Sequence, residues 1–401
     1  MPRSIVHVIP SVAARYGGPS AAVVGMGRAI REAGADVLIV TTDADGPGRL
    51  DVPLGTLTTF EGLPAIFFRR QATEAFKWSA PLASWLRAHV AEHDVVHAHA
   101  VFSHAPIAAA RACRAAGVPY IVRPLGTLDP WSVDRKAWRK RTLLRLGARD
   151  ALAGAAVMHY TTREEQRLAE RGFPDLPPGV VIPLGIDDRC FAVTPSRSPA
   201  SPYALVLSRL DAKKRIEWII DAWHHLQTDG LGDWQLVIAG DGHESYVEAL
   251  RQRAAAGPAA GRIAFKGWVA GDDKLALLRD AGVFVVASHQ ENFGVAMVEG
   301  MAAGVAPVVT PGVNLAQDLE AAGAGWRVEE TPAALADGLR RAMRDEAERR
   351  ERGRRARAFA EQFRWPAVGR QLQDLYERLA SSSATRRAAA ARAGADASPA
   401  L

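Results

Sequence analysis

The stretch that decides the fold runs Val283-Phe284-Val285-Val286-Ala287-Ser288-His289-Gln290-Glu291-Asn292-Phe293-Gly294-Val295-Ala296-Met297-Val298-Glu299. Its opening apolar run predicts a strand buried on both faces over Val283–Ala287. A polar loop follows, then an apolar helix over Ala296–Ala303. Ligands of open α/β sheets bind at the carboxyl ends of the strands, and that is where the loop puts Glu291. The amides of Phe293 to Ala296 open a helix and favour an anion such as a diphosphate. Glu299 falls in the first turns of that helix, where a carboxylate could accept two sugar hydroxyls. An isolated pair of glutamates would read more simply as a loop cap and an exposed helix carboxylate. The strand–loop–helix setting and the intervening Asn-Phe-Gly favour a ligand.

The same alternation extends in both directions. Short strands are predicted at Ile5–Ile9, Val37–Val40, Asp94–His99 and Tyr120–Val122, and again at Ala204–Leu207, Trp234–Ala239, Ile263–Phe265 and Val305–Val309. Helices are predicted between them, at Ser20–Ala33, Pro106–Ala116 and Ile216–Leu226. Strands joined by crossover helices mean parallel sheets covered on both faces. The chain has 401 residues, enough for two such domains. Four prolines between Phe173 and Pro183 mark the linker, so the domains are predicted at 1–183 and 184–364. A terminal helix is expected at 365–380, and a Ser/Ala/Arg-rich tail over 381–401 is expected to be disordered.

Composition narrows the classes. Apolar residues make up 48% and charged residues 23%, ordinary for a folded protein. No run approaches the ~20 apolar residues of a membrane helix. No long apolar segment with a small-residue cleavage site follows Met1, so a secretory leader is not expected. Two cysteines, Cys113 and Cys190, cannot build a disulfide framework or a cysteine-rich zinc site. A reducing cytoplasm is the expected location. Net charge is +6, and of the 50 basic residues only seven are lysines. Such a balance suits phosphorylated ligands, an anionic membrane or nucleic acid, and equally a genome that favours Arg.

Three further motifs stand at strand ends. Ser208-Arg209-Leu210-Asp211-Ala212-Lys213-Lys214 follows Ala204–Leu207, and Arg209 with Lys214 could converge on phosphates. Gly17-Gly18 follows the first strand and lets backbone approach a ligand, but it is not a dinucleotide fingerprint. His97 and His99 share one strand face, with no third metal ligand signalled nearby.

In order and spacing this set resembles the retaining group 1, family-four glycosyltransferases of the GT-B fold, of the polysaccharide-assembly type. The resemblance spans residues 4 to 378. It rests on Gly17-Gly18, on Asp94 to His99, on Ile182-Pro183-Leu184-Gly185-Ile186-Asp187, on Arg209 with Lys214, on Ala239-Gly240-Asp241-Gly242, on Glu291 and Glu299, and on Ala302 to Val309. It implies two doubly wound Rossmann-like domains facing across a cleft, the first on the acceptor side and the second holding a nucleotide-diphosphate sugar. Arg209 and Lys214 then match the basic pair on the diphosphate, and Glu291 the carboxylate on the sugar ring. Asn292, Phe293, Gly294 and Val295 match the backbone around sugar and phosphate, and Glu299 the ribose ligand. Gly17 and Gly18 match a loop that closes on the phosphates. Trp268 and Val269 fall where the family meets the base.

The implied reaction is transfer to a glycan or lipid-linked acceptor with retention, with no cofactor and no metal strictly required. Many relatives carry a His after the strand at Tyr120–Val122, where this chain has Leu125. His99 and Arg123 are the acceptor-side candidates left. Lys136, Arg139, Lys140 and Arg141, with Trp131 and Trp138 interleaved, read either as a solvated helix face or as a contact with an anionic membrane near a lipid-linked acceptor. That contact would place the work at the inner face of the membrane. A sugar-nucleotide epimerase of the same architecture is the alternative. Specific nucleic-acid binding is not expected, because no stacking module or recognition helix is present.

Overall fold

The computed structural model describes residues 3–135, 137–195, 202–226 and 233–396. The chain divides into two compact units. One comprises residues up to Gly185 together with the C-terminal helix from Trp365, and the other is Ile186–Arg364. The division falls two residues beyond the boundary read from the linker prolines.

The first unit holds β1 (Ser4–Val8), β2 (Asp36–Thr42), a small ribbon of β3 (Ala44–Asp45) and β4 (Gly48–Arg49), then β5 (Leu57–Phe60), β6 (Leu63–Phe68), β7 (Val95–His99), β8 (Tyr120–Arg123), β9 (Val157–Tyr160) and β10 (Gly179–Val181). Its main sheet has the order β10-β9-β8-β7-β1-β2-β6-β5. Every pairing is parallel except the β5–β6 hairpin. Alternation along the strands assigns the two faces. Val6, Val8, Val96, Ala98 and Val122 pack with residues of the helices Ala80–His89 and His104–Ala116. Ile5, Val95, Ile121 and Val157 pack with Met26 and Ile30 of the helix Gly18–Glu32, and with Val368, Leu372, Leu375 and Tyr376 of the C-terminal helix.

That last helix runs Trp365–Asp396, well past residue 380. The stretch 381–396, expected to be disordered, is therefore helical. Alanine and arginine are strong helix formers, so low complexity here favours helix over coil. Residues 397–401 lie outside the described residues. The strands β5, β6, β9 and β10 were not predicted. β5, β9 and β10 have only three or four residues each, and Pro64 interrupts the apolar period of β6.

The second unit holds β11 (Tyr203–Leu207), β12 (Gln235–Ala239), β13 (Ile263–Gly267), β14 (Ala281–Val286), β15 (Pro307–Val309) and β16 (Trp326–Arg327). All its pairings are parallel, in the order β13-β12-β11-β14-β15-β16. Counted within the unit this is 3-2-1-4-5-6, the doubly wound order whose direction reverses between the first and fourth strands. One covered face buries Ile216, Ile219, Ile220 and Trp223 of the helix Ile216–Leu226 against Val206, Leu236, Ile238, Val283 and Val285. Both units are thus Rossmann-like α/β sheets with their own cores.

Candidate active site

In the second unit the order reverses between β11 and β14, so the loops leaving those two strands flank the crevice such sheets use for ligands. The loop after β11 carries Arg209, Lys213 and Lys214, and the loop after β14 carries Glu291. The two loops are tied together. His289 N–H donates to Lys213 O at 2.8 Å, and Lys213 Nζ donates to Gln290 Oε1 at 3.1 Å. Lys214 Nζ donates to and pairs with Glu291 Oε2, both side chains partly buried. The Asp211 carboxylate accepts the Lys213 N–H at 3.0 Å and sets the tight turn Ala212–Lys214 that aims both lysines. Arg209 is exposed, and its guanidinium has no hydrogen-bond or ion-pair partner among the described residues.

The Glu291 loop is also pinned from behind. Its N–H donates to Gly312 O at 2.8 Å, and Asn314 N–H donates to its carbonyl at 2.9 Å. Burial alone would raise the Glu291 carboxyl. Lys214, then Lys213 and the Gly294 N–H, outweigh it and hold the group below the ordinary carboxylate range. Glu291 is therefore an anion at neutral pH, able to accept hydroxyl hydrogen bonds. Gly294, with φ 76°, caps the helix Val295–Ala302 without a side-chain partner. Phe293 does not present its side chain here. It is buried edge-on against Phe363, with ring centroids 5.3 Å apart, so only its backbone faces the loop.

Glu299 is 8% exposed and paired with Lys274 Nζ at 2.7 Å. Burial pushes its carboxyl above the ordinary range, with Lys274 pulling the other way. The remaining strand-end loops lie along the same edge. Gly240, after β12, leaves no room for a side chain, because a Cβ would meet Ser208 O at 1.8 Å. Its N–H donates to Gly267 O at 2.6 Å, fixing the start of the Trp268–Val269 loop after β13. Trp268 is 67% exposed, while Val269 is half-buried.

In the first unit the order reverses between β1 and β7. Gly17-Gly18 follow β1, and Gly17 adopts φ 69°, a conformation that favours glycine, to open the helix Gly18–Glu32. His99 and Arg123 are found elsewhere than expected. Both are buried, with no surface to offer an acceptor. They belong to an interior network. His159 Nε2 bonds to Ile182 O at 2.8 Å, so that nitrogen must carry the proton. Its Nδ1 then accepts from His97 Nε2 at 3.1 Å, and His97 Nδ1 accepts from Tyr376 O–H at 2.8 Å. On the other branch Arg123 Nη1 faces His99 Nδ1 at 3.4 Å, so His99 Nε2 donates to His7 Nδ1 at 2.9 Å. Burial, with the neighbouring cation and imidazoles, pushes all four imidazoles down, His7 and His159 to about 3. Nitrogens of His7, His97 and His99 lie within 4.8 Å of one another. Their lone pairs are nevertheless spent on each other and on Arg123 and Tyr376, and the His97 and His99 rings are stacked with centroids 4.4 Å apart. The two branches are hydrogen-bond chains rather than an ion cradle, and the second ends at His7 Nε2, which has no partner among the described residues. Leu125, where the resemblance puts a His, is half-exposed with φ 60°. Its loop is held by the buried Glu165, which accepts from Gly126 N–H at 2.6 Å and from Thr161 N–H at 2.7 Å.

Two family models match the chain: Glycosyl transferase 4-like domain over residues 17–185, and Glycosyl transferases group 1 over residues 195–359. The chain belongs to the group 1 glycosyltransferases. Among its relatives in the family is a phosphatidyl-myo-inositol mannosyltransferase of Mycobacterium tuberculosis, 31% identical over 51% of this chain and 55% of that protein. The chain thus matches only about half the length of that relative. A GDP-mannose:cellobiosyl-diphosphopolyprenol alpha-mannosyltransferase of Xanthomonas oryzae is 27% identical over 78% of this chain and 81% of that protein. In fold, this group 1 member matches a sucrose-phosphate synthase of Thermosynechococcus elongatus with a TM-score of 0.78, at 20% identity over 95% of this chain and all of that one. It also matches Anabaena HepE in complex with UDP and glucose with a TM-score of 0.73, at 19% identity over 94% of this chain and all of that one. Both units therefore carry the GT-B architecture.

The motif reading of this glycosyltransferase missed Lys213 and Lys274. Lys213 adjoins Lys214 in the quoted motif and was visible as half of the chain's one Lys-Lys pair. Lys274 had only the rarity of lysine to mark it.

Proposed function

We propose that this protein moves a sugar from a nucleotide-diphosphate sugar to a glycan or lipid-linked acceptor, with retention, in the assembly of a polysaccharide or related glycolipid. The observation that carries the proposal is the meeting of the Lys213–Lys214 turn with the Glu291 loop at the point where the strand order reverses. Cleavage at the anomeric carbon leaves extra negative charge on the diphosphate. Arg209, Lys214 and the helix start at Gly294 are placed to stabilise it. Glu291 takes sugar hydroxyls, Glu299 the ribose, and the backbone of Asn292 to Val295 lines the sugar and phosphate. Trp268 and Val269 stand near the base, and Gly17 and Gly18 belong to the phosphate-side loop. In a same-face attack the departing phosphate oxygen accepts the acceptor's proton, so no enzyme nucleophile is needed. These side chains already supply the countercharge, and we propose that no resident metal is required.

The mannosyltransferase relatives make GDP-mannose the donor to test first, and the lipid-linked acceptor named for the Xanthomonas relative supports a polyprenol-linked glycan. The epimerase alternative finds no support among them. The exposed Trp138, Arg139, Arg141, Arg145 and Leu146 support a contact with the anionic inner face of the cytoplasmic membrane. Lys140 does not belong to that surface. Its ammonium turns back to Ser132 and lies 5.1 Å from the Phe102 ring. Lys136 lies outside the described residues. A thermal-shift screen against GDP-, UDP- and ADP-sugars tests the donor, since a ligand at 100 times its Kd adds about 2.7 kcal/mol of stability. Transfer from the donor so identified, with and without a chelator, tests the reaction. No shift with any donor would sink the proposal.

A further inference from the structure

We propose that Lys274 is a nucleoside-binding residue of the donor site, holding Glu299 in place for the ribose of a nucleoside diphosphate. The inference rests on the reading above that Glu299 meets the ribose.

Lys274 lies in the first turn of the helix Gly271–Asp280, which begins just after the Trp268–Val269 loop. A cation there opposes the helix dipole, and a local rule broken in this way often marks a functional position. The choice of residue is also unusual, because this chain writes Arg at all but seven of its 50 basic positions. The side chain reaches from that turn to the carboxylate of the next ligand candidate, Glu299, at 2.7 Å, and remains 22% exposed. It thus bridges the two places assigned to base and ribose.

The charged and titratable groups around Glu299 are few. Lys274 comes from the helix Gly271–Asp280, and Asp187, Arg189 and Cys190 come from the turn at residues 187–192. Asp187 is already satisfied by Arg189 at 2.7 Å, so it adds negative charge near Glu299 without a free cation. Lys274 is the cation in contact with Glu299. Without it a carboxyl this buried shifts further towards its protonated form and offers ribose one acceptor fewer.

The test is calorimetric titration of wild type, Lys274→Met, Lys274→Arg and Glu299→Gln with UDP, GDP and inorganic pyrophosphate. Thermal melts check that each variant folds. Lys274→Met is expected to weaken the better nucleoside diphosphate about tenfold, as losing a charged hydrogen bond does, and to leave pyrophosphate unchanged. Lys274→Arg should retain most of the affinity. In Lys274→Met the nucleotide affinity should also begin to fall at a higher pH, on acidification, than in wild type. An equal loss with pyrophosphate would make Lys274 a phosphate cation and overturn the proposal. So would unchanged nucleotide affinity in Lys274→Met while Glu299→Gln is impaired. Unchanged affinity in Glu299→Gln overturns the ribose assignment itself, and this inference with it.

Discussion

Two pairs of opposite charge, Lys214 with Glu291 and Lys274 with Glu299, stand in the second unit, and that pairing sets what a substitution does. Lys214 keeps Glu291 ionised, so on the proposed reading Lys214→Ala removes the diphosphate cation and the counter-charge of the sugar carboxylate together. Its loss of kcat should be on the order of 10²–10³, like the loss of an oxyanion-hole donor, with the fold retained. Glu291→Gln should be comparably inactive, and wild-type turnover in either variant refutes the site. The pH dependence has a definite sign. Glu291 is depressed in the folded protein, so its pairing adds stability above its unfolded pKa of about 4.3, and that stability is lost as pH falls through the folded value. Denaturation midpoints of wild type and Glu291→Gln should therefore converge on acidification below pH ~4. Much of this site was legible in sequence, because Arg209, Lys214 and Glu291 lie just past apolar strands and Glu299 lies in the helix that follows. Lys274 was not, because its partner lies 25 residues away on another helix.

At the level of elements, the C-terminal helix shows how far pattern reading reaches. The spacing of Val368, Leu372, Leu375 and Tyr376 located its apolar stripe, but not the hydrogen bond from Tyr376 to His97, 279 residues away in the chain. The histidines of β1, β7 and β9 were equally opaque. Alternation put His97 and His99 on one face, yet nothing local says that Tyr376 heads one pair of neutral imidazoles, His97 and His159, and Arg123 the other, His99 and His7. Burial in those two branches moves His99 and Arg123 from the acceptor side to the interior. Tyr376→Phe leaves the His97 Nδ1 acceptor buried without its donor and should cost about 1–3 kcal/mol in chemical denaturation. The histidines are depressed in the folded state, so the unfolded chain binds more protons below pH ~6.5. Stability should be full above that pH and fall as it drops, by up to about 1.4 kcal/mol per pH unit for each histidine involved. A flat stability curve between pH 6.5 and 4.5 would show that the imidazoles are not held neutral.

For the whole molecule, two separate Rossmann-like cores each supply one strand-order reversal, and the terminal helix returns the chain to the first core. This plan was readable because parallel strands buried on both faces leave continuous apolar runs. The acceptor surface was not, since it depends on exposed side chains that follow no period. The segment 131–149 is the instructive case. Its sequence offers a row of cations, but Lys140 folds inward. What remains outside is Trp138 at 68% exposure with Arg139 5.1 Å from its ring centre, and Leu146 at 63%, flanked by exposed Arg141, Arg145 and Arg149. An indole and a leucine among arginines suit the interfacial layer of an anionic bilayer, where apolar groups enter the headgroup region and each nearby cation adds about 1 kcal/mol. The protein should therefore sediment with vesicles rich in phosphatidylglycerol and not with neutral phosphatidylcholine, and high salt should release it. Trp138→Ala with Leu146→Ala should weaken binding at every salt concentration. Arg139→Ala with Arg141→Ala should instead flatten the salt dependence. Transfer to a soluble acceptor analogue should be unchanged in all four substitutions, while transfer to acceptor embedded in vesicles falls. Equal binding to neutral and anionic vesicles, or no binding to either, would return this helix to a solvated face.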